Sequence, residues 1–157
     1  MKENQNLFRD LQEDFRKMKK NLLVAQSGGP TAAINATLAG VIKQAIKEEQ
    51  IDQVYGACYG IQGVLEQKFV NLTEKVDTEE KLEKLKRTPA AALGSCRFKL
   101  NDIKEDDSQY QEIVDILHKM NIGYFVYIGG NDSMDTVAKL SAYCKEKGVE
   151  DIKVIGG

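Results

Sequence analysis

Long apolar runs, paired cysteines and basic clusters are what this chain has little of, and each shortage removes a class of function. Its longest apolar stretch falls far short of the roughly 20 residues that span a bilayer. The N-terminus mixes acids with bases instead of placing a charged tip before an apolar segment, so neither a membrane anchor nor a secretion signal is expected. Three cysteines, Cys58, Cys96 and Cys144, lie far apart without a Cys-x-x-Cys pair, which argues against a metal or redox centre and suits a reduced, cytoplasmic protein. With 22 Lys+Arg against 24 Asp+Glu the net charge is −2, and no basic cluster stands out beyond Arg16-Lys17, Lys19-Lys20 and Lys84/Lys86-Arg87. Nucleic acid is therefore not an expected partner. The single histidine, His118, sits on the flank of an apolar helical stripe, where a structural or surface role is expected rather than catalysis. No repeat, linker or low-complexity stretch is present, and 42% apolar residues in 157 suffice for the core of one domain.

What is present alternates between two periods. Leu7, Leu11, Phe15 and Met18 make a helical stripe on a charged segment, predicting an added helix over 1–20 docked on the domain or on a partner subunit. Asn21 to Gln26 reads as a buried strand ending at Ser27-Gly28-Gly29-Pro30, followed by a helix over Thr31 to Glu49. Gln53 to Tyr59 predicts a second strand, Gly60-Ile61-Gln62-Gly63 a turn, and Asp77 with Glu80 a capping box opening a helix that Pro89 ends. Ala90 to Phe98 reads as a loop of small residues carrying one arginine, Arg97. Ser108 and Gln111 form a second capping box before a helix with Ile113, Val114, Ile116, Leu117 and Met120 on its buried face. Gly123 to Ile128 is then a strand, Asp132 to Lys147 a helix closed by Gly148, and Ile152 to Gly157 a last strand. Such alternation predicts a doubly wound parallel sheet with helices on both faces and right-handed crossovers, over 21–157.

In such a sheet the carboxyl ends of the strands share an edge where ligands bind. Here three strands run into glycine pairs, Gly28-Gly29, Gly129-Gly130 and Gly156-Gly157. Glycine lets a backbone approach closely, and a following helix turns free N–H groups and a partial positive charge toward an anion. One such pair is as readily a plain tight turn; several at one edge favour a phosphate site. The spacing matches neither the dinucleotide fingerprint GxGxxG nor the P-loop GxxxxGK[ST]. Arg97, isolated among Gly94, Ser95 and Cys96, has the planar fork suited to gripping a phosphate, although a surface salt bridge is the ordinary use of an arginine. Asp132 and Ser133 are ordinary helix caps, yet a carboxylate there also repels a phosphate seeking the same place, which favours a smaller polyphosphate over a longer one.

Four runs in register, AQSGGPTAAINATLAGVI (Ala25 to Ile42), YGACYGIQGVLE (Tyr55 to Glu66), LGSCRF (Leu93 to Phe98) and YIGGNDSMDT (Tyr127 to Thr136), resemble the N-terminal part of the 6-phosphofructokinases, most closely their diphosphate-dependent branch. The resemblance implies the Rossmann-like N-terminal domain of that family. Gly28 and Gly29 would cradle the phosphoryl donor and Arg97 would touch the transferring phosphate. Gly130, Ser133 and Thr136 would line the donor pocket, and Asp132 would stand in for the α-phosphate of a nucleotide. Magnesium, Mg2+, is the implied cofactor. Asn131 occupies the place of the family's metal-associated aspartate, and a neutral amide there would hold the ion through water. The implied substrates are diphosphate and fructose 6-phosphate, and a homo-oligomer is expected of the full-length protein. The aspartate base that activates the sugar hydroxyl would lie beyond Gly157, so the resemblance implies an N-terminal fragment without turnover of its own. An ATP-dependent 6-phosphofructokinase, a kinase of the NAD or lipid type, and a non-catalytic phosphate-binding module remain as alternatives.

Overall fold

A computed structural model describes residues 2–27, 32–88, 91–96 and 99–157, with the backbone alone for 15–18 and 32. Gly28, Gly29, Pro89 and Arg97, singled out above, lie outside the described residues, as do the side chains of Phe15 and Met18.

Twelve elements follow one another among these residues: α1 (Lys2–Met18), β1 (Lys20–Gln26), α2 (Ala32–Lys47), β2 (Ile51–Ala57), α3 (Gly60–Leu65), β3 (Phe69–Asn71), α4 (Leu72–Lys75), α5 (Glu79–Arg87), α6 (Ser108–Lys119), β4 (Ile122–Ile128), α7 (Asn131–Glu146) and β5 (Lys153–Gly156). One five-stranded sheet has the order β3-β2-β1-β4-β5. β1 is central because Leu22 to Gln26 are all buried, a run that only a strand covered on both faces can carry. Leu23, Ala25 and Phe125 pack under Ile61 of α3, Ile113 and Leu117 of α6, and Leu140 of α7. On the opposite face Leu22, Val24 and Val126 pack under Leu38 and Ile42 of α2 and Leu82 of α5. Each fully buried side chain of the size of Leu23, Ile42 or Leu117 contributes about 1.5–3 kcal/mol relative to leaving it exposed.

The winding direction reverses at β1. From β1 the chain passes over one face through α2 to β2 on one side; later it enters β4 on the other side of β1 and passes over the opposite face through α7 to β5. Right-handed crossovers going in opposite directions must use opposite faces, and the ends of β1 and β4 part where they diverge.

Four strands are parallel, as the alternation predicts, but β3 runs antiparallel to β2, with Gly56 opposite Val70. Three residues within a charged stretch are too few to give a period, although Phe69 and Val70 of β3 pack against the two cores. Gly60 to Gly63 is not a turn: it opens α3, whose N-cap Tyr59 (φ 65) and first residue Gly60 (φ 62) both lie in the left-handed region. Gly63 is required because a Cβ there would overlap the Cys58 carbonyl oxygen. Neither capping box forms. Thr78, not Asp77, caps α5 by accepting from the Lys81 N–H, and Asp77 instead pairs with the Lys81 ammonium at 2.8 Å. Ser108 is the first residue of α6 and its amide donates to Asp106. In α1, Leu7, Phe8 and Leu11 stand exposed, so these side chains are not buried on the chain's own domain. His118 pairs with Asp151 at 3.0 Å on the surface and holds that carboxyl below its usual range. Among the described residues no helix is long and apolar enough to cross a membrane.

Candidate functional site

A cleft of about 250 Å³ opens where the windings diverge, lined by Ser27 after β1, Ala33, Ile34 and Thr37 of α2, and Ile128, Gly129, Gly130 and Gly157 from the ends of β4 and β5. Main-chain bonds hold its rim together. The Ser27 amide donates to Ile128 O at 2.8 Å, the Gly129 amide to Gly157 O at 3.2 Å, and the Gly157 amide to Tyr127 O at 3.0 Å. Two of the three predicted glycine pairs thus contribute to one wall; the third, Gly28-Gly29, lies outside the described residues.

The turn after β4 sorts the predicted residues by exposure. Gly130 is the N-cap of α7, with space around it on the side a Cβ would occupy. Asn131 and Asp132 are the first two helical residues, both exposed and without a side-chain cap bond from Gly130. Asp132 Oδ1 lies 3.8 Å from Lys99 Nζ, a solvated pair worth little by itself. Ser133 is buried and its hydroxyl bonds that of Ser27. Thr136, one turn on, is buried with its hydroxyl donating to Asp132 O at 3.1 Å. The structure therefore brings Gly130 to the cleft, buries Ser133 behind the cleft-lining Ser27, leaves Asn131 and Asp132 exposed at the start of α7, and uses the Thr136 hydroxyl within the helix.

Beneath the cleft lies a polar network that no motif reading singled out. Gln26 and Asn35 are fully buried. The Gln26 amide donates to Ile34 O (3.2 Å) and Asn35 Oδ1 (3.1 Å), while Gln26 Oε1 accepts from the Leu93 N–H (2.9 Å). Asn35 Oδ1 also accepts from the Ala92 N–H (2.9 Å), and its amide donates to Thr88 O (2.6 Å). The end of β1, the first turn of α2 and the loop that runs on to Arg97 are thereby one unit. The only sequence signal was two amides interrupting otherwise apolar stretches. The same loop is clamped from above, where the Tyr59 N–H donates to Leu93 O at 2.8 Å and Gly94 (φ 79) sits so close that a Cβ would lie 2.7 Å from the Tyr59 ring.

Tyr127 was missed as well. Its ring is buried at the end of β4, and its hydroxyl accepts from the Ile61 N–H at 3.2 Å. Burial pushes the phenol up to about 12, so it is a hydroxyl at any physiological pH.

As for a metal, no group of three or more His, Cys, Asp or Glu residues converges among the described residues. Magnesium needs no such cage, being commonly held by one or two carboxylates together with substrate phosphates and water. Asp132 and Asn131 at the start of α7 offer such a partial set.

Comparison with known proteins places this geometry. A family model described as Phosphofructokinase matches residues 21–156. The pyrophosphate--fructose 6-phosphate 1-phosphotransferase of Rhodospirillum rubrum is 44% identical over 123 residues, covering 78% of this chain and 29% of that protein. The enzyme of the same name from Halomonas elongata is 40% identical over 129 residues, covering 82% and 30%. The crystal structure of the pyrophosphate-dependent phosphofructokinase from Nitrosospira multiformis superposes with a TM-score of 0.77 at 36% identity, covering 87% of this chain and 33% of that one. The chain spans about 30% of the length of the curated relatives it matches. With a switch-point cleft built from the motif-bearing turns and a family match running from the start of β1 to the end of β5, this chain belongs to the phosphofructokinase family.

Proposed function

We propose that this chain is the donor-binding part of a protein that transfers a phosphoryl group from diphosphate to the 1-hydroxyl of fructose 6-phosphate in the cytoplasm. The observation that carries the reading is Asp132, placed at the second position of α7 and two residues from the cleft-lining Gly130. The pyrophosphate-named relatives support it, and the activity belongs to the longer protein they describe.

The chemistry asked of these residues is positioning and charge stabilisation. The α7 N-terminus, opening at Gly130 above the cleft wall, directs its free N–H groups and partial positive charge at the donor. Arg97, carried by the loop that Gln26 and Asn35 anchor, would grip the transferring group in two places. Asp132 would exclude a nucleotide, because a third phosphate would meet a carboxylate at the helix start. Magnesium, held beside Asn131 and Asp132, would neutralise charge spreading over the transferred group. An ATP-dependent phosphofructokinase is the alternative, and Asp132 separates the two.

The test uses the complete gene product. Asp132→Gly should lower the discrimination of diphosphate over ATP, measured as the ratio of kcat/KM values, by about tenfold or more, the effect of removing about 1.4 kcal/mol of repulsion. An unchanged ratio would remove Asp132 from donor choice. A wild-type protein that uses ATP and ignores diphosphate would overturn the reading itself.

A further inference from the structure

The loop that runs on to Arg97 is gripped from two sides at one residue. The Leu93 N–H donates to Gln26 Oε1 at 2.9 Å, and Leu93 O accepts from the Tyr59 N–H at 2.8 Å. The next residue, Gly94 (φ 79), lies against the Tyr59 ring, where a Cβ would meet Cδ1 at 2.7 Å and Cε1 at 2.8 Å. Lys68 Nζ stands 6.0 Å from the centroid of that ring and is itself paired with Glu66 at 2.8 Å. Tyr59 holds this place in an unfavourable backbone conformation. Its φ of 65° and ψ of 42° are left-handed, a region that a bulky residue rarely adopts. At the adjoining left-handed position the chain uses glycine, Gly60, since a Cβ there would lie 2.7 Å from Cys96 Sγ and 2.8 Å from the Tyr127 oxygen. At Tyr59 it keeps a large ring instead, yet the residue is 54% exposed. Burial in the core is therefore not what the strain serves.

We infer that Tyr59 is a positioning residue, whose ring, carried by a strained backbone, seats the loop from Leu93 to Cys96 and so aims Arg97. Strained conformations of this kind persist where the surrounding structure over-determines them, and they cluster at functional sites. Here the bond to Leu93 O and the first turn of α3, closed by the Gly63 N–H on Tyr59 O at 3.3 Å, supply that constraint. Gln26 and Asn35 fix the inner side of the loop, and the Tyr59 ring closes it from outside. The inference rests on the role given to Arg97 above, and its experiment separates the two.

In the complete protein, Tyr59→Asn removes the ring but suits the left-handed backbone, so the thermal midpoint should stay within about 2 °C of wild type. Trypsin cleavage at Arg97 should nevertheless be at least about fivefold faster, because the loop opens locally. Diphosphate-dependent kcat should fall about tenfold, with the KM values little changed. Tyr59→Phe, which keeps the ring, should match wild type in all of these. In an Arg97→Ala background Tyr59→Asn should change kcat little, because the loop then carries nothing to aim. Unchanged cleavage at Arg97, or losses in kcat that simply add, would overturn the inference. So would a fall in midpoint with kcat kept, the mark of packing alone, or a loss in Tyr59→Phe as large as in Tyr59→Asn. A wild-type protein that does not use diphosphate would instead remove the reading beneath, a distinct result because no variant need be compared.

Discussion

Gly129→Ala should cost the fold about 2–4 kcal/mol and, in the complete protein and on the function proposed above, diphosphate-dependent turnover at least about a hundredfold. The added methyl would overlap Ser133 Oγ and the Ser27 carbonyl oxygen and lie 2.9 Å from Ser133 Cβ. None of these can yield cheaply. Ser27 is tied by its amide to Ile128 O, Gly129 by its own amide to Gly157 O, and Ser133 is buried in the first turn of α7. Relief therefore requires parting the ends of β1 and β4, which is to say opening the cleft. The control is one residue on. A Cβ at Gly130 meets nothing within 4 Å, and its φ of −89° suits any residue, so Gly130→Ala should keep the stability of the wild type. Any loss it shows in diphosphate affinity would then report contact with the donor. Denaturant midpoints and donor titrations on both variants provide the comparison; equal stability of the two would show that the tight packing at Gly129 is not what closes this edge.

The second large effect is expected at Asn35. Replacing it by Ala removes an acceptor of the Ala92 N–H and a donor to Thr88 O, both on exposed residues, and one partner of the fully buried Gln26 amide. A buried group left unsatisfied costs about 1–3 kcal/mol, but Ala92 and Thr88 can turn to water and Gln26 keeps Ile34 O, so a total of about 1–2 kcal/mol is expected. Chemical denaturation measures it directly. Asn35→Asp should not rescue, since a carboxylate would face Thr88 O without a proton to donate and would be a buried charge. A second readout follows from the loop that runs on to Arg97. Turnover of Asn35→Ala, measured well below its unfolding temperature, should fall, whereas in an Arg97→Ala background the same substitution should change turnover little, because the loop then carries nothing to misplace. Full additivity would confine Asn35 to stability.

The sequence made most of the fold legible because its central strand and main helices carry strong periods. Asn21 to Gln26 is apolar on both faces and α2, α6 and α7 have long buried stripes, so strand, glycine turn and helix could be placed from local pattern alone. What escaped was held by other forces. β3 exists by antiparallel pairing of three residues, and α3 begins with left-handed residues that look like a turn. The expected capping boxes failed by one position, Thr78 taking the role given to Asp77, since any short oxygen-bearing side chain can cap and neighbours compete. At the site, the glycines were visible because they mark a phosphate turn, and Asp132 because a carboxylate is unusual in one. Gln26, Asn35 and Tyr127 were not, since an amide or phenol in an apolar run announces no partner, and their partners lie up to 67 residues away. Exposure of Leu7 and Leu11 likewise could not be read from a stripe that looks the same whether buried or bare.

The bond between Ser27 and Ser133 joins positions 106 residues apart. A contact of that span forms only after the intervening chain has been gathered in, and loop closure makes such contacts slow to form. The cleft therefore has no existence in a partly folded chain: β1 and β4 must already be paired before its two walls face each other. A donor bound there would act as a clasp on the whole sheet, and diphosphate at a hundred times its Kd should raise the stability of the entire unit by about 2.7 kcal/mol. On the donor reading proposed above, phosphate affinity would be a late and sensitive gauge of whether folding is complete.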